Sequence, residues 1–455
     1  MNILKKRHHS KDNQGNDISN VYQLDGRVPL EKAIPFGLQH VLAMFVANIT
    51  PIIIVAGAAG LSSEQSAALI QCAMIIAGVG TMIQLYPVWK IGSKMPIVMG
   101  ISFTFVSIFC VIAGQYGYNT VIGAVLIGGV IEGILGLFAK YWRKIITPVV
   151  AASVVTAIGF SLLNVGAHSF GGGNGSADFG SVSNLVLGSI TLVTCLAFNI
   201  FAKGYYKQLS VLVGLVVGYI VAIFMSKVDF SALASVSIIA LPEFMPFKPE
   251  FNLNAIVSVV LIFLVSATET IGDTSALAQS GLGREASEKE ISGSIACDGF
   301  ISSISALFGC MPITSFSQNV GLVAMTKVVN RFTILTGAII MVLAGLFPVF
   351  GAVLATLPEP VLGGCTLIMF GSIVVSGLHM IAGCGYNQRN LLIVALSLSI
   401  GIGFTQVPDI FAAFPSLIKN VFAENCVAVV FLTAVILNIV LPKRMELDEN
   451  EVVEG

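Results

Sequence analysis

Three carboxylates, Glu269, Asp273 and Asp298, stand in stretches otherwise apolar enough to span a membrane. An ionisable group at bilayer depth costs kilocalories unless it faces a cavity or a partner, so each is a candidate functional residue. Glu269 and Asp273 are four apart and share one helical face. A carboxylate at Glu269 can accept two N–H bonds from one edge of a flat ring. The same residues could instead form a hydrogen-bond network without a ligand, and Asp298, one segment on, reads as a network residue. Beyond them, Thr314-Ser-Phe-Ser-Gln-Asn-Val-Gly-Leu-Val-Ala-Met-Thr-Lys327 interrupts an apolar run with polar side chains. Gln318 and Asn319 both donate and accept, and Gln318 suits a ligand with mixed edges. His40 is the one His early in an apolar segment, and reads equally as functional or as merely satisfied.

Composition says what must hold these groups. The chain is 56% hydrophobic and 10% charged, with mean hydropathy +0.92. Soluble proteins carry about 25% charged residues, so this chain must place its surface in lipid. The net charge of -1 says nothing useful about partners, and no nucleic-acid partner is expected. Eight cysteines lie singly without a CxxC pair, which suggests neither a metal site nor a disulfide framework. They read as small core residues. HExxH, GxSxG and paired Ser/His arrangements are absent, which argues against an intramembrane enzyme and leaves no catalytic residue to name.

A span needs roughly 20 apolar residues. Counting so gives segments near 34–55, 64–86, 95–113, 119–139, 144–166, 182–202 and 208–226, then 254–279, 288–309, 311–328, 332–356, 359–382, 389–405 and 423–442. The expectation is an all-α polytopic membrane protein of fourteen segments. Met1 to Arg27 lacks a signal-peptide core, so the first segment is expected to be retained. With both termini cytoplasmic, Lys and Arg fall in the loops after even-numbered segments and in the tails (Lys5, Lys6, Arg7, Lys11, Lys443 and Arg444 among them). Lys227, Lys248 and Lys419 are the exceptions. Glu132, towards the cytoplasmic end of segment 4, reads as a side chain that reaches the interface. The sequon at Asn174 carries no weight, and the acidic tail after Arg444 is too short for a domain.

Seven plus seven segments put the halves in opposite orientation, the inverted-repeat arrangement of many secondary transporters. Pro96-Ile-Val-Met-Gly-Ile-Ser-Phe103 resembles Met311-Pro-Ile-Thr-Ser-Phe316, the third segment of each half. Short extended breaks are expected in segments 3 and 10, where unwound backbone is tolerated because it lines a cavity. Half-helices starting near Thr104 and Gln318 would then aim free N–H groups and positive dipole ends at a ligand. Backbone amides around Phe103 and Phe316 could bond a flat polar ring, with the Phe103 ring over its face.

Gln318-Asn-Val-Gly-Leu-Val-Ala-Met-Thr-Lys327 resembles the signature of the nucleobase–ascorbate transporters, [Gln/Glu/Pro]-Asn-x-Gly-x-x-x-x-Thr-[Arg/Lys/Gly]. Glu269-Thr-Ile-Gly-Asp273, Asp298-Gly299, Gln39-His40 and Ser102-Phe103 match in order and spacing, over almost the whole chain. The resemblance implies a core domain (34–139 and 254–357) moving like an elevator against a gate domain (140–253 and 358–442), with tails 1–33 and 443–455 and usually a homodimer. It implies Glu269 as anchor of the substrate's N–H edge, Gln318 as second polar contact, and Phe103 as backbone and ring contact. Ser102, Phe316 and Ser317 complete the implied binding set. Asp273, Asp298, Asn319 and His40 would support the site or its proton coupling, and Thr326 and Lys327 match positions that influence selectivity.

Within the family, Gln at the first signature position resembles the xanthine and urate carriers, and Asp273 stands where the uracil branch tends to carry His. Ser102 and Ala324 leave xanthine and urate both open, and Val320 departs from the Asn of some purine carriers. The expectation is proton-driven uptake of xanthine, urate or both across the cell membrane, with no cofactor and with sodium as the alternative coupling ion. Alternatives are a uracil or hypoxanthine/guanine permease of the same fold and, more distantly, a sulfate-type anion carrier.

Overall fold

The apolar runs are largely helical, and the chain turns to extended strand at two places where Pro, Gly and hydroxyls cluster, near 96–102 and 312–317. The computed structural model describes residues 18–173, 175–230 and 239–442. Asn174, the terminal charges Lys5, Lys6, Arg7, Lys11, Lys443 and Arg444, and most of both expected tails lie outside the described residues.

The first half runs α1 (Leu30–Ala58), α2 (Ser63–Leu85), strand β1 (Met99–Ile101), a 3-10 turn at Phe103–Phe105, α3 (Val106–Tyr116), α4 (Tyr118–Leu137), the single turn α5 (Ala139–Trp142), α6 (Pro148–Gly171), α7 (Val182–Phe201) and α8 (Ser210–Phe224). The second half runs α9 (Leu253–Leu282), α10 (Glu288–Leu307), strand β2 (Ile313–Ser315), α11 (Ser317–Thr326), α12 (Arg331–Gly345), α13 (Pro348–Ala355), α14 (Glu359–Gly383), α15 (Gln388–Gln406), α16 (Ser416–Phe422) and α17 (Cys426–Val440). Local chemistry sets the starts. Ser62 with Gln65, and Ser287 with Glu290, form reciprocal capping boxes that satisfy the first N–H groups of α2 and α10. Pro sits at the first turn of α6, α13 and α14, where its missing N–H costs nothing.

Among the described residues, eight helices are long and apolar enough to cross a membrane, or ten if each of two bent pairs is one span. The remaining expected segments differ for physical reasons. Segments 3 and 10 are divided between a strand and a short helix, α8 has 15 residues, and α10 is rich in polar residues on buried faces. The expected straight segment 332–356 is in fact α12 and α13, bent by 76°. Pro348 explains the break, since it cannot continue the α12 ladder and disfavours the helical region for Phe347. The stretch before the last segment forms α16, bent by 101° from α17.

Packing partners recur when the halves are exchanged. α4 packs on α9 as α12 packs on α1, and α4 on α10 as α12 and α13 pack on α2. In the same way α7 pairs with α8 as α15 does with α17, and α7 lies on α14 as α15 lies on α6. The two strands, one from each half, pair with each other. Residues 239–252, between the halves, run past the ends of α12, α10 and α4. Ala240 N–H donates to Leu346 O, Met245 N–H to Leu307 O and Glu250 N–H to Asn119 O. At the opposite end, Arg331 pairs with Asp25 and lies over the Tyr86 ring, holding residues 20–28 against α12.

The α4–α10 crossing depends on glycine. A Cβ on Gly299 would sit 2.1 Å from Gly133 N and 2.6 Å from Gly129 O, backbone atoms that cannot swing aside. Gly299→Val should therefore cost about 1–3 kcal/mol by overpacking, read as a lower thermal midpoint of the detergent-purified protein. Gly403→Ala, where a Cβ meets nothing within 4 Å, should not lower it.

Candidate functional site

At the centre lies a two-stranded antiparallel ribbon, pairing Met99 with Ser315, Gly100 with Thr314 and Ile101 with Ile313. Ser102 N–H donates to Pro312 O and Phe316 N–H to Val98 O, extending the pairing at both ends. Its outer edges would leave backbone N–H groups bare inside the protein, and side chains from the surrounding helices meet them. Asn48 Oδ1 on α1 accepts from Ile101 N at 2.7 Å, and Thr81 Oγ1 on α2 accepts from Met99 N at 2.9 Å. On the other strand, Ser302 Oγ accepts from Ile313 N at 3.1 Å and Asp298 Oδ2 from Ser315 N at 3.0 Å, both from α10. Gly100 is required by contact: a Cβ there would lie 2.7 Å from Met44 Cε and 2.8 Å from Phe316 Cδ2.

The extended breaks expected in segments 3 and 10 are these strands. Each strand leads at once into a helix start. Ser102 Oγ accepts from Thr104 N at the turn before α3, and α11 begins at Ser317. Helix starts leave N–H groups without intrahelical partners.

The three carboxylates separate by environment. Asp298 is fully buried and accepts three hydrogen bonds: beside Ser315 N–H, its oxygens accept from Thr270 Oγ1 at 2.6 Å and Gln84 Nε2 at 3.1 Å. Asp273 is half-buried on α9 and accepts from Ser315 Oγ and Ser317 Oγ, each at 3.0 Å, joining α9 to the start of α11. Glu269, one turn away, accepts from Thr104 Oγ1 at 2.5 Å through Oε2. Among the described residues nothing bonds its Oε1.

A cavity of about 670 Å³ opens against this face. Ser102, Phe103, Glu269, Asp273, Phe316, Ser317 and Gln318 all line it, with Thr104 beside Glu269. The opposite wall is apolar, from Ile158 on α6 and Ile368, Met369 and Ile373 on α14, and Phe103 meets Phe370 edge-on at 5.4 Å. Lys207 and Asn199 line its far end. A carboxylate, an amide and two helix starts facing an apolar wall can hold a flat ring by its polar edges.

His40, Asn319 and Asp298 do not line the cavity. His40 Nδ1 donates to Asn319 Oδ1 at 3.1 Å, both side chains buried behind the wall, so they brace α11 on α1. Thr326 bonds Leu322 O within α11. Lys327 ends that helix at φ 60° with its Nζ on Ser280 O, away from the cavity. Glu132 corrects its expectation: it does not reach the interface but is 1% exposed, on the α4 face that packs on α9 and α10. Distance from a helix end does not tell which face a neighbour covers.

Sequence reasoning missed Asn48, Thr81, Gln84 and Ser302, and gave Thr104 only as a helix start. All are polar residues within apolar runs, the signal by which they could have been found.

The fold is that of a multi-pass membrane protein, and the relatives it matches are named as permeases, not enzymes. Solved structures with the same fold include the transmembrane domain of the cyanobacterial bicarbonate transporter BicA, at 15% identity and a TM-score of 0.55, covering 90% of this chain and 98% of that one. Murine Slc26a9, an anion transporter captured inward-facing, gives a TM-score of 0.57 at 12% identity, over 94% of this chain and 73% of that one. At such identities the likeness concerns the fold alone. A family model described as a permease family, Xan_ur_permease, matches residues 31–410. The chain belongs to the nucleobase–ascorbate transporter family. It is 33% identical to the xanthine permease XanQ of Escherichia coli K12 over 94% of both chains. It is 36% identical to the xanthine permease of Bacillus subtilis (90% and 93% covered) and 37% identical to that organism's uric acid permease PucK (88% and 94% covered).

The Asp298 contacts allow a stability test. Asp298→Asn turns an accepting atom into a donor against Gln84 Nε2 or Ser315 N–H, and should cost about 1–3 kcal/mol, read as a lower thermal midpoint in detergent.

Proposed function

We propose that the protein is a proton-coupled symporter that imports an oxidised purine, xanthine or urate or both, across the cell membrane. The observation that carries this is Glu269, held by Thr104 through one oxygen and presenting the other to a cavity between two helix starts. That oxygen can accept the N–H edge of a purine dione, and Gln318, on the same wall, can pair with a mixed donor–acceptor edge. Gln318 at the first signature position and Asp273 in place of His favour an oxidised purine over uracil, and the names of the relatives agree. Phe103 and Phe316 add ring faces, and Ser102 and Ser317 add hydroxyls near the helix starts.

The exchange-related packing supports fourteen segments in a seven-plus-seven inverted repeat. The grouping of α1–α4 with α9–α13, and of α6–α8 with α14–α17, supports a core that moves against a gate. Proton coupling would use Glu269, with Asp273, Asp298, Asn319 and His40 holding the geometry. Both termini are then cytoplasmic and the protein works as a homodimer, with Thr326 and Lys327 tuning selectivity from the cytoplasmic side.

The test is uptake of radiolabelled xanthine in a bacterial strain lacking its own carriers. Urate should compete and uracil should not; a protonophore should abolish uptake and sodium-free buffer should not. Competition by uracil alone, or no xanthine uptake, would overturn the purine assignment, and sodium dependence the coupling. Glu269→Gln should lose proton-driven accumulation. Thr104→Val should weaken xanthine binding about tenfold, the loss of one hydrogen bond to a charged group, and Thr104→Ser should restore it.

A further inference from the structure

A second cavity, of about 650 Å³, lies beyond the wall that closes the first. The two reach opposite ends of α7: Lys207 and Asn199 line the first, while Gly172, Gly173, Gly175 and Ser176, between α6 and α7, line the second. The wall between them is thin. Thr104 lines one cavity and Ser107 the other, and Ile158 lines one while Ser161 lines the other. Each pair is a single helical turn apart, with the Phe103–Phe370 contact close by.

The second cavity has its own carboxylate. Glu359, the first residue of α14, lines it half-buried, with its Oε2 turned away from solvent on the Ser169 side and its other atoms accessible. Two glycines make room for this side chain: a Cβ on Gly57 would come within 3.1 Å of Glu359 Oε1, and one on Gly173 within 3.0 Å of its Cγ. The cavity's other acid, Glu424, is already taken by Gln115 Nε2 at 3.1 Å. Asn164 and Ser107 supply donors, and the Phe160 ring supplies an apolar face. Among the described residues no group of three His, Cys, Asp or Glu could hold a metal ion. A lone acceptor with amide and hydroxyl donors, in a space far larger than an ion, suits a neutral planar ring carrying N–H groups on one edge and carbonyls on another.

We propose that this cavity is a second binding site for the transported heterocycle, occupied before the ring passes the wall, in which Glu359 accepts ring N–H. The site rests on the transport function proposed above. Its test is xanthine transport in membrane vesicles of both orientations. Glu359→Gln should raise the KM about tenfold from the face that carries Gly172 and Glu359, and leave the KM from the Lys207 face unchanged. An unchanged KM from both faces, or an equal loss of maximal rate from both, would overturn the second site while leaving the transport function intact. Absence of xanthine transport by the wild-type protein would overturn both.

A second measurement does not depend on how Glu359→Gln folds. In a chain carrying Cys110→Ala and Cys426→Ala, Ser161→Cys should react with an impermeant maleimide added from the Glu359 face, and xanthine should slow that reaction several-fold. Protection by sodium ions but not by xanthine, or by neither, would overturn the proposal.

Discussion

The structure depends on satisfying the edges of a two-stranded ribbon far from water. Lipid offers no hydrogen bonds, and an open sheet edge inside it costs several kilocalories per bare group. Here four edge N–H groups are met by Asn48, Thr81, Ser302 and Asp298, from three helices. Those polar side chains explain why α1, α2 and α10 are not uniformly apolar. They also fix those helices in register with the ribbon, so the helix starts that follow each strand stand at defined positions. The geometry at Glu269 is a consequence of that register.

Three carboxylates that look alike in the sequence thus divide the labour by hydrogen-bond count. Asp298 accepts three hydrogen bonds, one of them from the ribbon itself, and is part of the scaffold. Asp273 receives two serine hydroxyls from the β2–α11 junction and ties α9 to it. Glu269 receives one hydroxyl and faces the cavity with the other oxygen. A ligand can compete for Glu269 without dismantling the ribbon, which it could not do at Asp298.

Much of this was legible in the sequence, and the part that was not has a common cause. The extended breaks showed as Pro, Gly and hydroxyl clusters, and the cavity-facing residues Glu269, Asp273 and Gln318 as polar groups in apolar runs. His40 and Asn319 were both marked, yet nothing local to either indicated that they bond each other across 279 positions. Asn48, Thr81 and Thr104 bear small neutral side chains whose importance lies in the backbone or carboxylate they meet, and that partner is known only once the helices are packed. Glu132 was misread for the same reason: its depth along α4 was visible, but α9 and α10 covering it was not. The bend at Pro348 was written in the sequence, although hydropathy alone ran through it.

The connection between the halves is fastened at both ends. Lys227 donates to Asp178 Oδ2 and Asn184 Oδ1, on the group of helices containing α7. From Ala240 onward the chain is bonded to the ends of α12, α10 and α4 in the other group. Whatever its path, the chain from Lys227 to Ala240 can span at most about 45 Å. That reach is an upper bound on how far apart the two fastened ends can ever stand, so a shorter connection would tie the two groups of helices more tightly without touching either cavity.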